Sequence, residues 1–516
     1  LLAVVVAYAL SFLGGYPQRW TTAAVTGHVE SQGDEANADD GHAAAAHPSH
    51  DAEHDHAGPP PPYWTVLPFA LLLGAIAAFP IIPQTEHWWE SNLHRFYVAA
   101  GLALVTLAYY ALVHHDPIEQ HWPAPGIVEP ATGVQTDFVA TVLANSLLSE
   151  FIPFIVLLFS LYTIAGGIRI SGDLRANPMT NAAFMAAGGL LASFIGTTGA
   201  AMLLIRPLLE TNVQRRHVAH TVIFFIFIAC NCGGCLLPIG DPPLFLGYLQ
   251  GVYFTWTLSL WNHWALVNGL LLASYLAIDL LYFYRQETVA DVRRDIERTR
   301  PLSIRGAGLN GPLLVGIVLA VALLDPTKTF PGADWHPWMY LREAVQLLLV
   351  AASLTFGPSA PRLENRFNYH AIIEVAALFV GIFICMQPAL AILRANGPEL
   401  VEHFRMGPAK FFAVTGALSA VLDNAPTYLV FFQTARGNAP AVGPTAGVDE
   451  AVLAAISLGS VFGGAMTYIG NGPNFMVKAI AEKSGVKMPT FFGYMVYSGL
   501  ILLPILAINC WLFLLD

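Results

Sequence analysis

The residues best able to do chemistry in this 516-residue chain are carboxylates, amides and hydroxyls set inside apolar runs. Asp241 follows Pro238-Ile239-Gly240 and precedes Pro242-Pro243; Asp423 opens the string Asp423-Asn424-Ala425-Pro426-Thr427. A carboxylate at membrane depth costs roughly 2.5–3.5 kcal/mol on insertion scales, so it marks a pathway or a paired site. Thr197, Thr198, Asn231, Asn424, Thr427, Thr467, Asn471 and Asn474 add the hard oxygens that replace the water shell of a small cation. A carboxylate that accepts either a proton or sodium makes the two ions compete, which couples their exchange. The alternative is a small carboxylate held at the N-termini of interrupted helices, an arrangement that an acid at Asp423 opposes. Each acid also has a structural role open to it, as N-cap of the half-helix that follows. Glu374 and His370 open a later apolar run, where Glu374 could couple ion movements. Glu150 and Asp279 read as interfacial or packed pairs, and Arg206 with Glu210 as an i, i+4 pair of no functional weight.

These residues need helices that stop and restart. Asn231 to Phe245 lies inside the apolar run His220–Leu249, yet it holds Gly233, Gly234, Gly240 and three prolines. Proline removes a donor and clashes with the preceding turn, and glycine lowers helix propensity, so the run cannot be one helix. The pattern returns 230 positions later at Gly463, Gly464, Gly470 and Asn471: two glycines, four residues, Ile-Gly, Asp or Asn, any residue, Pro, any residue, Phe. The unwound glycines are expected to release backbone carbonyls as ion ligands. Broken helices at matching places in two halves are the mark of a secondary transporter. Two other apolar runs are interrupted, Asn181–Leu209 at Gly196-Thr197-Thr198-Gly199 and Ala409–Phe432 at Asp423–Thr427. Each reads as a helix–turn–helix that enters and leaves on one side, tolerable where its tip lines a protein cavity.

Composition sets the class. The chain is 55% hydrophobic and 11% charged, against about 25% charged in soluble domains. The expected fold is an all-α polytopic membrane protein: an inverted repeat with two re-entrant helical hairpins and two broken transmembrane helices. The expected divisions are a leader at 1–63, N-terminal transmembrane helices at 64–137, a first repeat at 138–308 and a second at 309–516. The runs Trp64–Ile82 and His370–Leu393 are expected to be single spans. Most of the 24 basic residues fall on one side if both hairpins are re-entrant, which is the cytoplasmic side by the positive-inside rule. Arg394, Arg405 and Lys410 are misplaced on that assignment. The net charge of −11 comes partly from the leader, and no basic face suggests nucleic-acid binding. The leader begins like a signal peptide, and Gly27–Pro62 reads as a disordered linker. Its His47, His50, His54 and His56 could hold zinc or copper weakly, but no tight metal site follows from such spacing. Cys230, Cys232 and Cys235 read as small packing residues, with a soft-ion thiolate site the alternative. An intramembrane aspartyl protease built on Asp241 and Asp423 is disfavoured, because the repeat partner of Asp241 is Asn471.

The strings Gly196-Thr-Thr-Gly-Ala-Ala-Met, Asn231-Cys-Gly-Gly, Ile239-Gly-Asp-Pro-Pro-Leu-Phe, Asp423-Asn-Ala-Pro-Thr and Ile469-Gly-Asn-Gly-Pro-Asn-Phe resemble the ion transporter superfamily. That group includes NhaD-type sodium/proton antiporters, citrate–metal–proton symporters and divalent-anion symporters. The Gly-Asp-Pro-Pro and Asp-Asn-Ala-Pro strings look most like the antiporters, which carry an acid in the first hairpin tip where this chain has Gly196-Thr197-Thr198-Gly199. The resemblance covers Trp64 to the C-terminus. It implies sodium/proton antiport, or else carboxylate symport, by an elevator-like movement in a homodimer. The expected setting is the inner membrane of a bacterium, with Na+ and H+ as transported ions and no cofactor.

Overall fold

Backbone groups in hydrocarbon have no water to bond, so apolar runs satisfy themselves as helices. The computed structural model describes residues 2–36, 58–437 and 439–515. Five of its helices are long and apolar enough to cross a membrane: Asn92–Leu112, Thr136–Ala165, Pro178–Ile195, Trp256–Gln286 and Phe491–Phe513. Two bent pairs raise the number to seven, Tyr63–Ala78 with Pro83–Trp89 at 101° and His370–Cys385 with Gln387–His403 at 47°. Each of these runs, expected to be a single span, carries a bend that the expectation did not include. Pro80 and Pro83 end the first, and Pro388 cannot donate to the turn before it, so the second kinks at Met386. Strand is confined to two short antiparallel pairs, Ile118–Gln120 with Gly126–Val128 and Arg169–Asp173 with Arg300–Arg305.

The anticipated interruptions all occur. Pro178–Ile195 and Thr197–Thr211 meet at Gly196, whose φ of +79° suits glycine. Pro408–Ser419 and Asn424–Arg436 meet at Asp423. The run from His220 splits into Ala219–Ala229, a short 3₁₀ turn at Cys232–Cys235 and Pro242–Leu249. Its counterpart splits into Glu450–Gly463, a 3₁₀ turn at Gly464–Met466 and Gly472–Lys483.

Small residues let each hairpin lie directly on a broken segment. Gly233 packs against the Gly189 backbone, and a Cβ at Gly463 would sit 2.5 Å from the Gly416 carbonyl oxygen. The same serine bridge recurs at both places: Ser193 Oγ donates to the Gly233 carbonyl (2.6 Å) and Ser419 Oγ to the Ser460 carbonyl (2.7 Å). The apolar stretch Val222–Cys230 is wholly buried, so the first broken segment is the centre of the molecule.

Three further expectations change. The helix Tyr16–Ala36 runs ten residues into the stretch read as linker, because adding residues to an existing helix is easy once nucleation is done. That leader helix and the one before it rest on the body, with Phe12 4.5 Å from Trp338 and Thr21 Oγ1 accepting from the Met339 amide at 2.8 Å. His47, His50, His54 and His56 lie outside the described residues. Arg394, misplaced by charge counting, is ion-paired with Glu119 and touches His121 (3.1 Å), so it belongs to the loop beside it.

The glycine contacts make a sharp test. Gly463→Ala forces backbone apart and should destabilise by about 1–3 kcal/mol, read as a lower melting temperature in detergent. Gly472→Ala, with nothing within 4 Å of the added carbon, should leave that temperature unchanged.

Candidate functional site

Asp241 is the N-cap residue of Pro242–Leu249, yet its side chain caps nothing. Pro242 and Pro243 have no N–H, and the Leu244 amide is taken by Asp241's own carbonyl (3.1 Å), so the carboxylate finds no donor in the first turn. The side chain turns inward instead. Thr197 Oγ1 donates to Oδ1 (2.8 Å), Asn424 Nδ2 to Oδ2 (2.7 Å) and Asn471 Nδ2 to Oδ1 (3.2 Å). One carboxylate thus gathers the first hairpin tip, the second hairpin tip and the second broken segment. The Thr197 amide adds a bond to the Gly240 carbonyl (2.9 Å). Asp423 does cap: its Oδ1 accepts from the Ala425 amide at 3.0 Å, while its neighbour Asn424 holds Asp241.

A second layer of amides supports the first. Asn471 Nδ2 also faces the Cys230 carbonyl (3.0 Å) and Asn231 Oδ1 (3.1 Å). Asn231 Nδ2 donates to Asn474 Oδ1 (2.8 Å), and Asn474 Nδ2 to the carbonyls of Gly464 (2.8 Å) and Thr467 (3.0 Å). Thr467 Oγ1 donates to the Ala420 carbonyl (2.5 Å), and Thr427 Oγ1 to that of Asp423 (2.9 Å). The carbonyls at the breaks, expected to be released as ion ligands, have side-chain partners in the structure. Those of Cys230, Cys232, Gly233, Gly464 and Thr467 already accept from Asn471, Asn268, Ser193, Asn474 and again Asn474. Buried carbonyls rarely stay unbonded, and the chain supplies amide side chains to meet them. Cys230, Cys232 and Cys235 are buried in the same wall.

The charge balance of the centre is unusual. Hydrogen bonds to a charged group contribute about 1.5–3 kcal/mol each, but burying a carboxylate costs several kcal/mol. Neutral donors lower that cost without cancelling the charge. No ion pair among the described residues involves Asp241 or Asp423. Other acids are paired: buried Asp279 binds Arg215 (2.5 Å) and His220 (3.1 Å), and the partly exposed Glu374 binds Arg95 (2.9 Å), whereas buried Glu150 has no ion pair among the described residues. Glu150 accepts from Gln250 Nε2 at 3.2 Å.

A cavity of about 1950 Å³ reaches this centre, with Thr198, Gly199, Asp423, Asn424 and Asn471 on its wall. The amides of Thr198 and Gly199 have no hydrogen-bond acceptor among the described residues, as expected for the first turn of a helix. They form a bare donor pair on the cavity wall. Arg206, on the same helix, also lines the cavity. It does not pair with Glu210 as its spacing suggested, because Glu210 turns to Arg169 (3.6 Å).

Apolar helices interrupted at a buried, unpaired carboxylate, with a wide cavity leading to it, define a secondary transporter of the membrane. A protein-family profile described as "Putative citrate transport" matches residues 60–514, and the chain belongs to that family. Comparison with curated proteins finds no match.

The network predicts opposite outcomes for two substitutions. Asn474→Leu strips partners from Asn231 and from two buried carbonyls, at about 1–3 kcal/mol each, and should sharply lower the melting temperature. Asp241→Asn removes the unpaired charge and turns Oδ2 into an NH2 facing the Asn424 amide; with that amide flipped so that its oxygen accepts, the variant should melt within a few degrees of wild type.

Proposed function

We propose that the protein is a secondary active transporter carrying a small carboxylate of the citrate class together with a cation or proton. The observation that carries the reading is the bare Thr198 and Gly199 amide pair, on the cavity wall at a helix N-terminus. Such an end carries partial positive charge and pre-aimed donors, which suits a carboxylate. The tip has no acid of its own to repel one. Beside it, Asp423 and Asp241 offer negative charge with no basic partner among the described residues, a place for the co-transported cation with Thr197 Oγ1 close by. Anion and cation then neutralise each other at the centre, which answers the objection that Asp423 would repel the substrate.

In this reading the two interrupted pairs are re-entrant hairpins and the halves form an inverted repeat. The shared serine bridges and glycine contacts support that pairing. Arg215, Arg216, Lys483 and Lys487 stand on the cavity wall, and the positive-inside rule puts such residues in the cytoplasm. The cavity is then the inward-open half of an alternating-access cycle. Each hairpin and its broken segment would move together past the remaining helices, elevator-like. We extend the reading to a homodimer in the inner membrane of a bacterium.

A second reading, sodium/proton antiport, draws support from a different observation: Asp241 is held only by neutral donors, so sodium and a proton could compete for it. One experiment separates the two. Purified protein in proteoliposomes should accumulate labelled citrate when a sodium or proton gradient is imposed. Sodium-driven dequenching of a pH dye without any citrate uptake would reverse the order of the two readings. Asp423→Asn keeps the cap oxygen but loses the charge, so it should fold normally and transport at least about 100-fold more slowly, a barrier change of about 2.7 kcal/mol.

A further inference from the structure

We propose that Arg206 binds a carboxylate of the transported anion inside the cavity, an assignment that rests on the carboxylate-transport reading above. Thr198, Met202 and Arg206 all line the cavity, and their spacing of four puts them on one face of the helix Thr197–Thr211. Arg206 stands two turns, about 12 Å of helix rise, beyond Thr198. Helical side chains lean toward the N-terminus, so its guanidinium extends back toward the hairpin tip.

The guanidinium has nothing to hold. Arg206 takes part in no ion pair among the described residues, and its Nε is buried without an acceptor. The nearby acids are committed elsewhere: Glu210 to Arg169 (3.6 Å), and Glu364 to both Arg169 (2.9 Å) and Arg305. Arg366 lines the same cavity and adds to the positive wall. Arginine stays charged at all physiological pH, and its planar fork matches a carboxylate with two parallel donors. A structural arginine in this position would have found a partner. One that faces a cavity without a partner is set for a ligand that comes and goes.

The placement also speaks to selectivity. The bare amides at Thr198 and Gly199 would take one carboxylate, and Arg206 would take another farther along the same face. Anions with several carboxylates gain both contacts; monocarboxylates gain only one.

The test compares wild type, Arg206→Gln and Arg206→Lys in proteoliposomes. The citrate KM should rise about tenfold or more in R206Q, the loss of roughly one charged contact, with the maximal rate little changed. R206K, which keeps the charge but not the fork, should fall between. The ligand-free melting temperature of R206Q should not drop, since no internal contact is lost, but its rise on adding citrate should shrink. Weak inhibition of uptake by lactate should be the same in wild type and variant. An unchanged citrate KM in R206Q, or in R206K if R206Q fails to fold, overturns the assignment. If wild type moves no carboxylate at all, the transport reading itself fails, and the variants need not be compared.

Discussion

Three neutral side chains holding one buried carboxylate is the interaction on which the rest of this structure depends. Thr197, Asn424 and Asn471 come from three separate elements and meet on Asp241. Pro242 and Pro243 help make this possible, because they remove two local amides and the next, of Leu244, bonds the Asp241 carbonyl instead of its side chain. The local backbone rule thereby becomes a long-range tie, joining residues up to 230 positions apart. The amide layer behind it, Asn231, Asn471 and Asn474, then secures the unwound backbone that the tie requires.

The tie is electrically incomplete. Donors soften the burial of a charge but do not cancel it, so the centre is most stable when something positive shares it. Elsewhere the chain supplies its own counter-ions, as at Asp279 and Glu374. Among the described residues the buried Asp241, Glu150, Asp173 and Asp295 have no ion pair, and of these it is Asp241 whose bonding partners Thr197, Asn424 and Asn471 line the cavity. This contrast between self-sufficient and unfinished acids distinguishes the site better than burial does, since Asp279 is as buried as Asp241.

Much of this was legible in the chain. Glycine and proline inside apolar runs located all four interruptions, and the repeated Ile-Gly-Asp/Asn pattern paired two of them. Of the polar residues expected at the site, Thr197, Asn424 and Asn471 touch Asp241 directly, with Asn231 and Asn474 behind them. The direction of each side chain was not legible, because it depends on which donors remain after the backbone is satisfied. Asp423 and Asp241 could each have been a cap; Asp423 uses the N2 amide of Ala425, where Asp241 meets Pro243, and that clue was in the sequence, while the loss of the Leu244 amide to the Asp241 carbonyl was not. The carbonyls expected to be released at the breaks do accept bonds from asparagine and serine side chains, which the sequence did not reveal. The i, i+4 spacing of Arg206 and Glu210 suggested a pair. A third residue, Arg169, from a distant strand took the acid, and no local pattern reveals such competition.

The glycine seams have a consequence of their own. Where Gly233 meets Gly189 and Gly463 meets Gly416, backbone touches backbone, leaving no gap that a water molecule or a hydrated ion could enter. Under the proposed cation-coupled transport, the driving gradient must not drain through the protein's own joints. These contacts caulk the join between each hairpin and its neighbouring segment.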